Sequence, residues 1–350
     1  MSSSSDPRIV AEKRVGQVLA NKWTIDRLID VGGMAAVYQA THRNGKKVAI
    51  KMLHPFIAAH EDVRERFLRE GYVANQVDHQ GAVSVLDDDM TADGAPFLVM
   101  ELLEGDSLEG CMTRNGGTLP ISDVLAVADQ VLDVLAAFHE RNVIHRDIKP
   151  GNLFVTKQGI VKVLDFGLAR LRDPRIGGAP TASGIVLGTA AYMPPEQAQG
   201  KATEVDARAD IFAVGAVMFR ALSGRQVHDA RSATERLFQA MKEKAKSLGV
   251  VAPEIGKLSL ATVGIVDKAL AFDKKERWAT AAEMRKEVRA AFAQLREAAS
   301  ARANIAHEPA PPSIDASQRV SREVSAAFDA VMEPSVIVDV SFGDIEVAEG

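Results

Sequence analysis

Residues 143–152 read V-I-H-R-D-I-K-P-G-N and constrain this chain more than any other stretch, because they set a carboxylate, a lysine and an amide on one short loop. Asp147 can accept or orient a hydroxyl proton, and Lys149 can neutralise a developing anion. Asn152, five residues after the aspartate, can offer an oxygen to a metal ion. Thirteen residues beyond Asn152, Asp165 opens D-F-G and supplies a second metal-binding oxygen. Singly, each of these strings is short and common. Order and spacing carry the argument: a glycine-rich turn, then V-A-I-K ending at Lys51, an acidic residue in the helical pattern that follows, H-R-D-I-K-P-G-N, D-F-G, and G-T-A-A-Y-M-P-P-E ending at Glu196.

In this order the motifs resemble those of bacterial protein kinases of the eukaryotic type, serine/threonine class, from about residue 23 to about residue 295. The resemblance implies an α+β, two-lobed protein kinase fold: a small antiparallel-sheet lobe with one helix, a larger mainly helical lobe, and ATP with Mg²⁺ between them. It makes Asp147, Lys149 and Lys51 the catalytic set, with Lys51 gripping the α- and β-phosphates. Glu70 of F-L-R-E-G becomes the carboxylate paired with Lys51, although Glu65 and Glu61 share its helix and spacing alone does not separate them. Val37 and Ala49 would close over the adenine and Phe154 would lie beneath it. Backbone groups of Glu101 and Leu103 would bond its edge, and Met100 would be the gatekeeper.

Asn152 and Asp165, with phosphates and water, suit a hard cation that keeps part of its hydration, and no cysteine or histidine cluster competes for zinc. Lys149 and Thr189 resemble the serine/threonine class, so tyrosine is not the expected acceptor. Glu196 and Arg277 match an ion pair tying the activation segment to the helical lobe, and Asp210 matches an anchor beneath the catalytic loop. His145 reads as a packed residue under Phe166 rather than a base.

The glycine-rich turn departs from the family pattern G-x-G-x-x-G. It reads Asp30-Val31-Gly32-Gly33-Met34-Ala35, with the first and third glycines replaced. A non-glycine residue forced to positive φ costs about 1–2 kcal/mol, which would weaken ATP binding roughly 5- to 30-fold. That departure motivates an alternative, a catalytically idle kinase-like scaffold that binds nucleotide. A small-molecule phosphotransferase is a further rival, against which stands the G-T-A-A-Y-M-P-P-E segment, expected to shape a peptide platform.

Residues 170–187 are rich in glycine, proline and small hydroxyl residues and read as a loop whose Thr181 and Ser183 sit at phosphoacceptor positions. A phosphate there would add about −1.5 to −2 charge, which the guanidinium of Arg146 can meet. No threonine follows Thr280, so phosphothreonine-reading partners are expected to find their ligand at Thr181.

With 47% apolar and 25% charged residues the 350-residue chain reads as globular. A net charge of −5 argues against nucleic acid as a partner. The acidity belongs to the end of the chain: residues 301–350 hold three basic and nine acidic residues. No apolar run approaches the roughly 20 residues of a membrane helix, no secretory signal is legible at the N-terminus, and the single Cys111 makes no internal disulfide. The expectation is a cytoplasmic protein without a membrane or nucleic-acid role. Residues 1–14 read as a mobile arm and 15–298 as the kinase domain, with its lobes meeting at 104/105. Residues 299–350 read as an acidic, mostly disordered tail, within which the β-prone run 336–342 is a candidate docking segment.

Overall fold

The computed structural model describes residues 6–165, 189–201 and 203–305. The chain opens with helix α1 (Pro7–Glu12), capped by Asp6, whose side chain accepts a hydrogen bond from the Arg8 N–H at 2.9 Å. This segment is not a free arm. Ala11 is buried, its carbonyl accepts from the Tyr38 hydroxyl at 3.2 Å, and Arg14 pairs with Asp93 at 2.6 Å. These contacts are long-range, so no local periodicity announced them.

Strands β1 (Val18–Leu19), β2 (Trp23–Val31), β3 (Ala35–His42), β4 (Lys47–Leu53), β5 (Val85–Met90) and β6 (Pro96–Glu101) form one antiparallel sheet in the order β1-β2-β3-β4-β6-β5. Early in β2, Trp23 and Ile25 are buried while Thr24 and Asp26 are exposed, the period-2 alternation of a half-buried strand. The central strand β4 is buried at every residue after Lys47, which its Val-Ala-Ile-Lys-Met-Leu run allows. After the short α2 (Pro55–Ala58), helix α3 (Glu61–Ala74) lays Val63 and Phe67 on the sheet, where they meet the cluster of Ile25, Tyr38, Ile50 and Phe97. The sequence pattern starts a strand at Ala82. Instead Ala82 makes one parallel bridge to Val163 and β5 begins at Val85, because this segment is tied to the other lobe before it joins the sheet.

Past residues 102–104 the chain enters the helical lobe. Strand β7 (Gly105–Ser107) pairs with β8 (Leu153–Thr156), which pairs with β9 (Val161–Val163). Gly105 has φ +145°, and a Cβ added there would lie 2.1 Å from the Val155 carbonyl oxygen. Gly105→Ala is therefore expected to lose at least about 1–3 kcal/mol of stability, read as a lower urea midpoint with an unchanged m-value.

Helix α4 (Leu108–Arg114) is followed by α5 (Ile121–His139), which buries Val124, Val127, Val131, Leu135 and Phe138 at three- and four-residue spacing. Its N-cap is Pro120, and the Ser122 hydroxyl donates to the Asp123 carboxylate at 3.0 Å. After α6 (Pro195–Ala198), helix α7 (Arg208–Ser223) is buried on nearly every side. Helices α8 (Ala233–Lys242), α9 (Leu248–Val251), α10 (Pro253–Leu258) and α11 (Leu260–Ala269) follow, and α7 packs against α5, α9, α11 and α12 (Ala281–Ile305). At its start the Glu283 N–H donates to the Thr280 hydroxyl at 3.1 Å while the Glu283 carboxylate takes the Ala279 N–H at 2.8 Å. The helix runs past residue 298 to Ile305, so the change of composition there does not end it. No helix among the described residues is long and apolar enough to cross a membrane.

Candidate active site

Asp210, in the first turn of α7 and fully buried, organises the loop of residues 143–152. Its Oδ2 accepts from the His145 N–H at 2.8 Å and meets the His139 Nε2 at 2.8 Å, and its Oδ1 accepts from the Arg146 N–H at 2.7 Å. Burial alone would raise its pKa, but the His139 ring, His145 and the Arg146 N–H outweigh burial and hold the carboxyl below its ordinary value. Arg146 is left-handed at φ +66°, which costs a side-chain-bearing residue about 1–2 kcal/mol. Asp210 grips it on one side and the Gln197 amide donates to its carbonyl at 2.9 Å on the other. That backbone turn delivers Asp147.

Asp147 is buried at 4% exposure. Its N–H donates to His145 Nδ1 at 3.2 Å, while His145 Nε2 donates to the Leu164 carbonyl at 2.7 Å. His145 is thus a bridge between the loop and the segment leading to Asp165; Phe166 lies outside the described residues. Two donors converge on the Asp147 Oδ2, the Lys149 ammonium at 3.1 Å and the Asn152 amide at 3.1 Å, and the same amide also reaches the Asp147 carbonyl at 2.8 Å. With its nitrogen so used, Asn152 has its oxygen left for a cation.

Asn152 closes a 3₁₀ turn (Pro150–Asn152) that feeds β8, and its carbonyl accepts from the Leu164 N–H at 2.8 Å. Asn152 and Asp165 therefore flank the same end of the β8–β9 hairpin. Asp165 is left-handed at φ +60°, and its Oδ1 meets the Lys51 ammonium. Burial raises the pKa of this carboxyl, but the Lys51 charge and hydrogen bond, helped by His145 and Lys149, leave it below its ordinary value. One carboxylate and one amide oxygen at a hairpin end fit a hard divalent cation that takes its remaining ligands from phosphate and water.

Across the cleft, strand register explains the rest of the site. Val37 faces Lys51, Lys51 faces Leu98, and Ala49 faces Met100, so Val37, Ala49, Lys51 and Met100 share one face of the sheet. Glu101 ends β6, Leu103 follows on the crossing, and Phe154 stands on β8 opposite Ser107 and Lys162. Glu70 lies on α3 beside Gly71, whose missing Cβ would sit 2.7 Å from the Leu98 side chain. Since Leu98 is the register partner of Lys51, α3 passes close to the lysine; the Glu70 side chain is outside the described residues.

The glycine-rich turn corrects an expectation. Neither Asp30 nor Ala35 has positive φ, because β2 continues through Val31 and β3 begins at Ala35, with Asp30 opposite Val37 and Val31 opposite Ala36. The reversal falls on Gly32, Gly33 and Met34 alone, so the replaced glycines carry no left-handed strain. The Asp30 carboxylate accepts its neighbour's N–H, that of Val31, at 2.8 Å.

A model of the protein kinase domain matches residues 23–288. The chain belongs to the protein kinase family. It is 33% identical over 316 residues to the probable serine/threonine-protein kinase PknB of Corynebacterium glutamicum, covering 89% of this chain and 48% of that protein. It is 37% identical over 309 residues to the serine/threonine-protein kinase PksC of Streptomyces coelicolor, covering 85% and 52%. Its fold matches the crystal structure of the Mycobacterium tuberculosis PknI kinase domain with a TM-score of 0.59 and 25% identity, over 79% of this chain and 98% of that one. The chain spans about half the length of these two curated relatives.

In this kinase the segment after the activation loop is held from below. Thr189 opens the turn Thr189–Tyr192, its side chain outside the described residues, as are Thr181 and Ser183. Arg277 donates two parallel hydrogen bonds to the Glu196 carboxylate, at 2.8 and 2.9 Å, both partners being buried. Sequence reasoning missed two braces. Lys162 donates to the Glu101 carboxylate at 2.7 Å and to the Ala82 carbonyl at 3.1 Å, tying the start of the crossing to the second sheet, and Gln197 fixes Arg146. Neither residue belongs to a spaced motif that could have flagged it.

Proposed function

We propose that the chain is an ATP-dependent serine/threonine protein kinase that transfers the γ-phosphate of ATP to serine and threonine hydroxyls of proteins and phosphorylates its own activation loop at Thr181 and Ser183. The observation that carries this reading is the meeting of Lys51, Asp147, Asn152 and Asp165 at one cleft, with Lys149 on Asp147. Asp147 accepts the proton of the acceptor hydroxyl. Lys149, hydrogen-bonded to it, neutralises the phosphoryl oxygens nearby, and Lys51, partnered by Glu70, holds the α- and β-phosphates. Val37, Ala49, Met100 and Phe154 enclose the adenine, the backbone of Glu101 and Leu103 reads its edge, and residues 30–35 cover the phosphates. Asn152 and Asp165 would hold Mg²⁺, which would supply charge neutralisation for the phosphates. Thr189 lies with Lys149 beside the acceptor. The ground for an idle scaffold was strain at Asp30 and Ala35, and that strain is absent.

Acting in cytoplasmic signalling, such a kinase would present phosphorylated Thr181 to phosphothreonine-reading partners, and residues 336–342, outside the described set, would offer a docking segment. Purified protein given labelled ATP and Mg²⁺ is expected to label itself, with mass spectrometry placing the phosphate on Thr181, Ser183 or both, and Lys51→Met is expected to abolish the label. Wild-type protein that stays unlabelled on itself and on a general protein substrate would sink the reading.

A further inference from the structure

We infer that His54 is a positioning residue that holds the glycine-rich turn in shape over the phosphates, an inference that rests on the kinase reading above. His54 directly follows β4, is 4% exposed, and bonds the turn twice. Its backbone N–H donates to the Met34 carbonyl at 2.9 Å, and its ring Nε2 meets the Gly32 carbonyl at 2.8 Å. A carbonyl oxygen only accepts, so Nε2 carries the proton. The ring also stacks on Phe56, centroids 5.5 Å apart and planes within 9°.

The effect on the turn follows from which groups are occupied. The Gly32 N–H closes the turn on the Ala35 carbonyl at 2.9 Å, and both the Gly32 and Met34 carbonyls are drawn to His54. The N–H groups of Gly33 and Met34 donate to no group among the described residues. A polar backbone group wants a partner, and two neighbouring amides in a turn that donate to no such group can make a small anion-binding concavity. Gly32 and Gly33 have no side chains to stiffen the reversal, and glycine has the most conformational freedom to lose. His54 supplies that stiffness from outside, three residues after Lys51 and directly after β4, so one stretch of chain sets both the lysine and the phosphate cover.

The test compares His54→Leu, which fills similar volume without a donor, with His54→Gln, whose Nε2 hangs the same number of bonds from Cβ, and His54→Asn, whose amide falls short. Affinity for Mg·ADP and for a non-hydrolysable ATP analogue is measured by calorimetry, KM for ATP and kcat by protein phosphorylation, and amide exchange over residues 32–35 by mass spectrometry. His54→Leu and His54→Asn are expected to weaken nucleotide binding and raise KM about 2- to 12-fold, the value of one net hydrogen bond. Turnover at saturating ATP should stay near wild type, exchange in the turn should quicken, and His54→Gln should restore affinity and protection. Should His54→Leu lose its folding transition, the Asn-against-Gln comparison decides. Unchanged affinity in both the Leu and the Asn variant, or a Gln variant as weak as they are, overturns the inference while the kinase reading stands. A wild-type protein that binds no nucleotide overturns both.

Discussion

Asp147→Asn is expected to lower phosphoryl transfer by about 10²- to 10⁴-fold, or roughly 3–5 kcal/mol of barrier, while nucleotide affinity is unchanged. The substitution keeps the shape of the site. Lys149 and Asn152 both donate to Asp147 Oδ2, so the new amide settles with its carbonyl oxygen toward those donors. Its NH₂ group then replaces Oδ1, and the site loses the acceptor that the proposed function assigns to the hydroxyl proton. Lys51, Asp165 and the residues of β3, β4 and β6 that share the Lys51 face are untouched. Single-turnover phosphorylation of a protein substrate, beside calorimetric titration with Mg·ADP, reads the two quantities separately. Undiminished transfer would show that Asp147 only orients the acceptor and that its proton leaves by another route.

Arg277→Ala is expected to remove about 3–5 kcal/mol of folding stability, because it leaves the buried Glu196 carboxylate without its partner. More than one bond is lost. The guanidinium also donates to the carbonyls of Ala271 at 2.9 Å, Arg208 at 3.2 Å and Phe272 at 3.2 Å, and lies 4.9 Å from the centre of the Phe212 ring. It is thus the point where the segment after the activation loop, α7 and the stretch before α12 are fastened together. Equilibrium unfolding in urea gives the magnitude, and Glu196→Gln, which keeps an acceptor but removes the charge, is expected to lose less. A change below about 1 kcal/mol for Arg277→Ala would mean that the desolvation of the pair nearly cancels its attraction. The variant is also expected to lose activity in proportion to its unfolded fraction, so activity is best measured well below its midpoint.

Sequence alone determined the parts of this protein that one or two turns of backbone can arrange. Five residues separate Asp147 from Asn152, and a 3₁₀ turn over Pro150–Asn152 is enough to fold the amide back onto the aspartate. The apolar stripe on α5 and the Thr280–Glu283 hydrogen bond at the start of α12 are likewise local, since helix geometry repeats within a few residues. Motif order then carried the family, and with it Lys51 and Asp165, which meet although 114 residues apart. What tertiary structure alone decided is the choice of distant partners outside any motif. The run-on of β2 through Asp30 depends on its register with β3, and register is a property of two strands, so the expected strain at Asp30 was a local inference about a non-local fact. The docking of α1 on Tyr38, the grip of Lys162 on Glu101 and of Gln197 on Arg146, and the two bonds from His54 to the glycine-rich turn each join groups that no spacing rule connects. They exist because folding brings a donor within 3.5 Å of a carbonyl or carboxylate oxygen, and that distance is set only when the whole sheet and both lobes are in place.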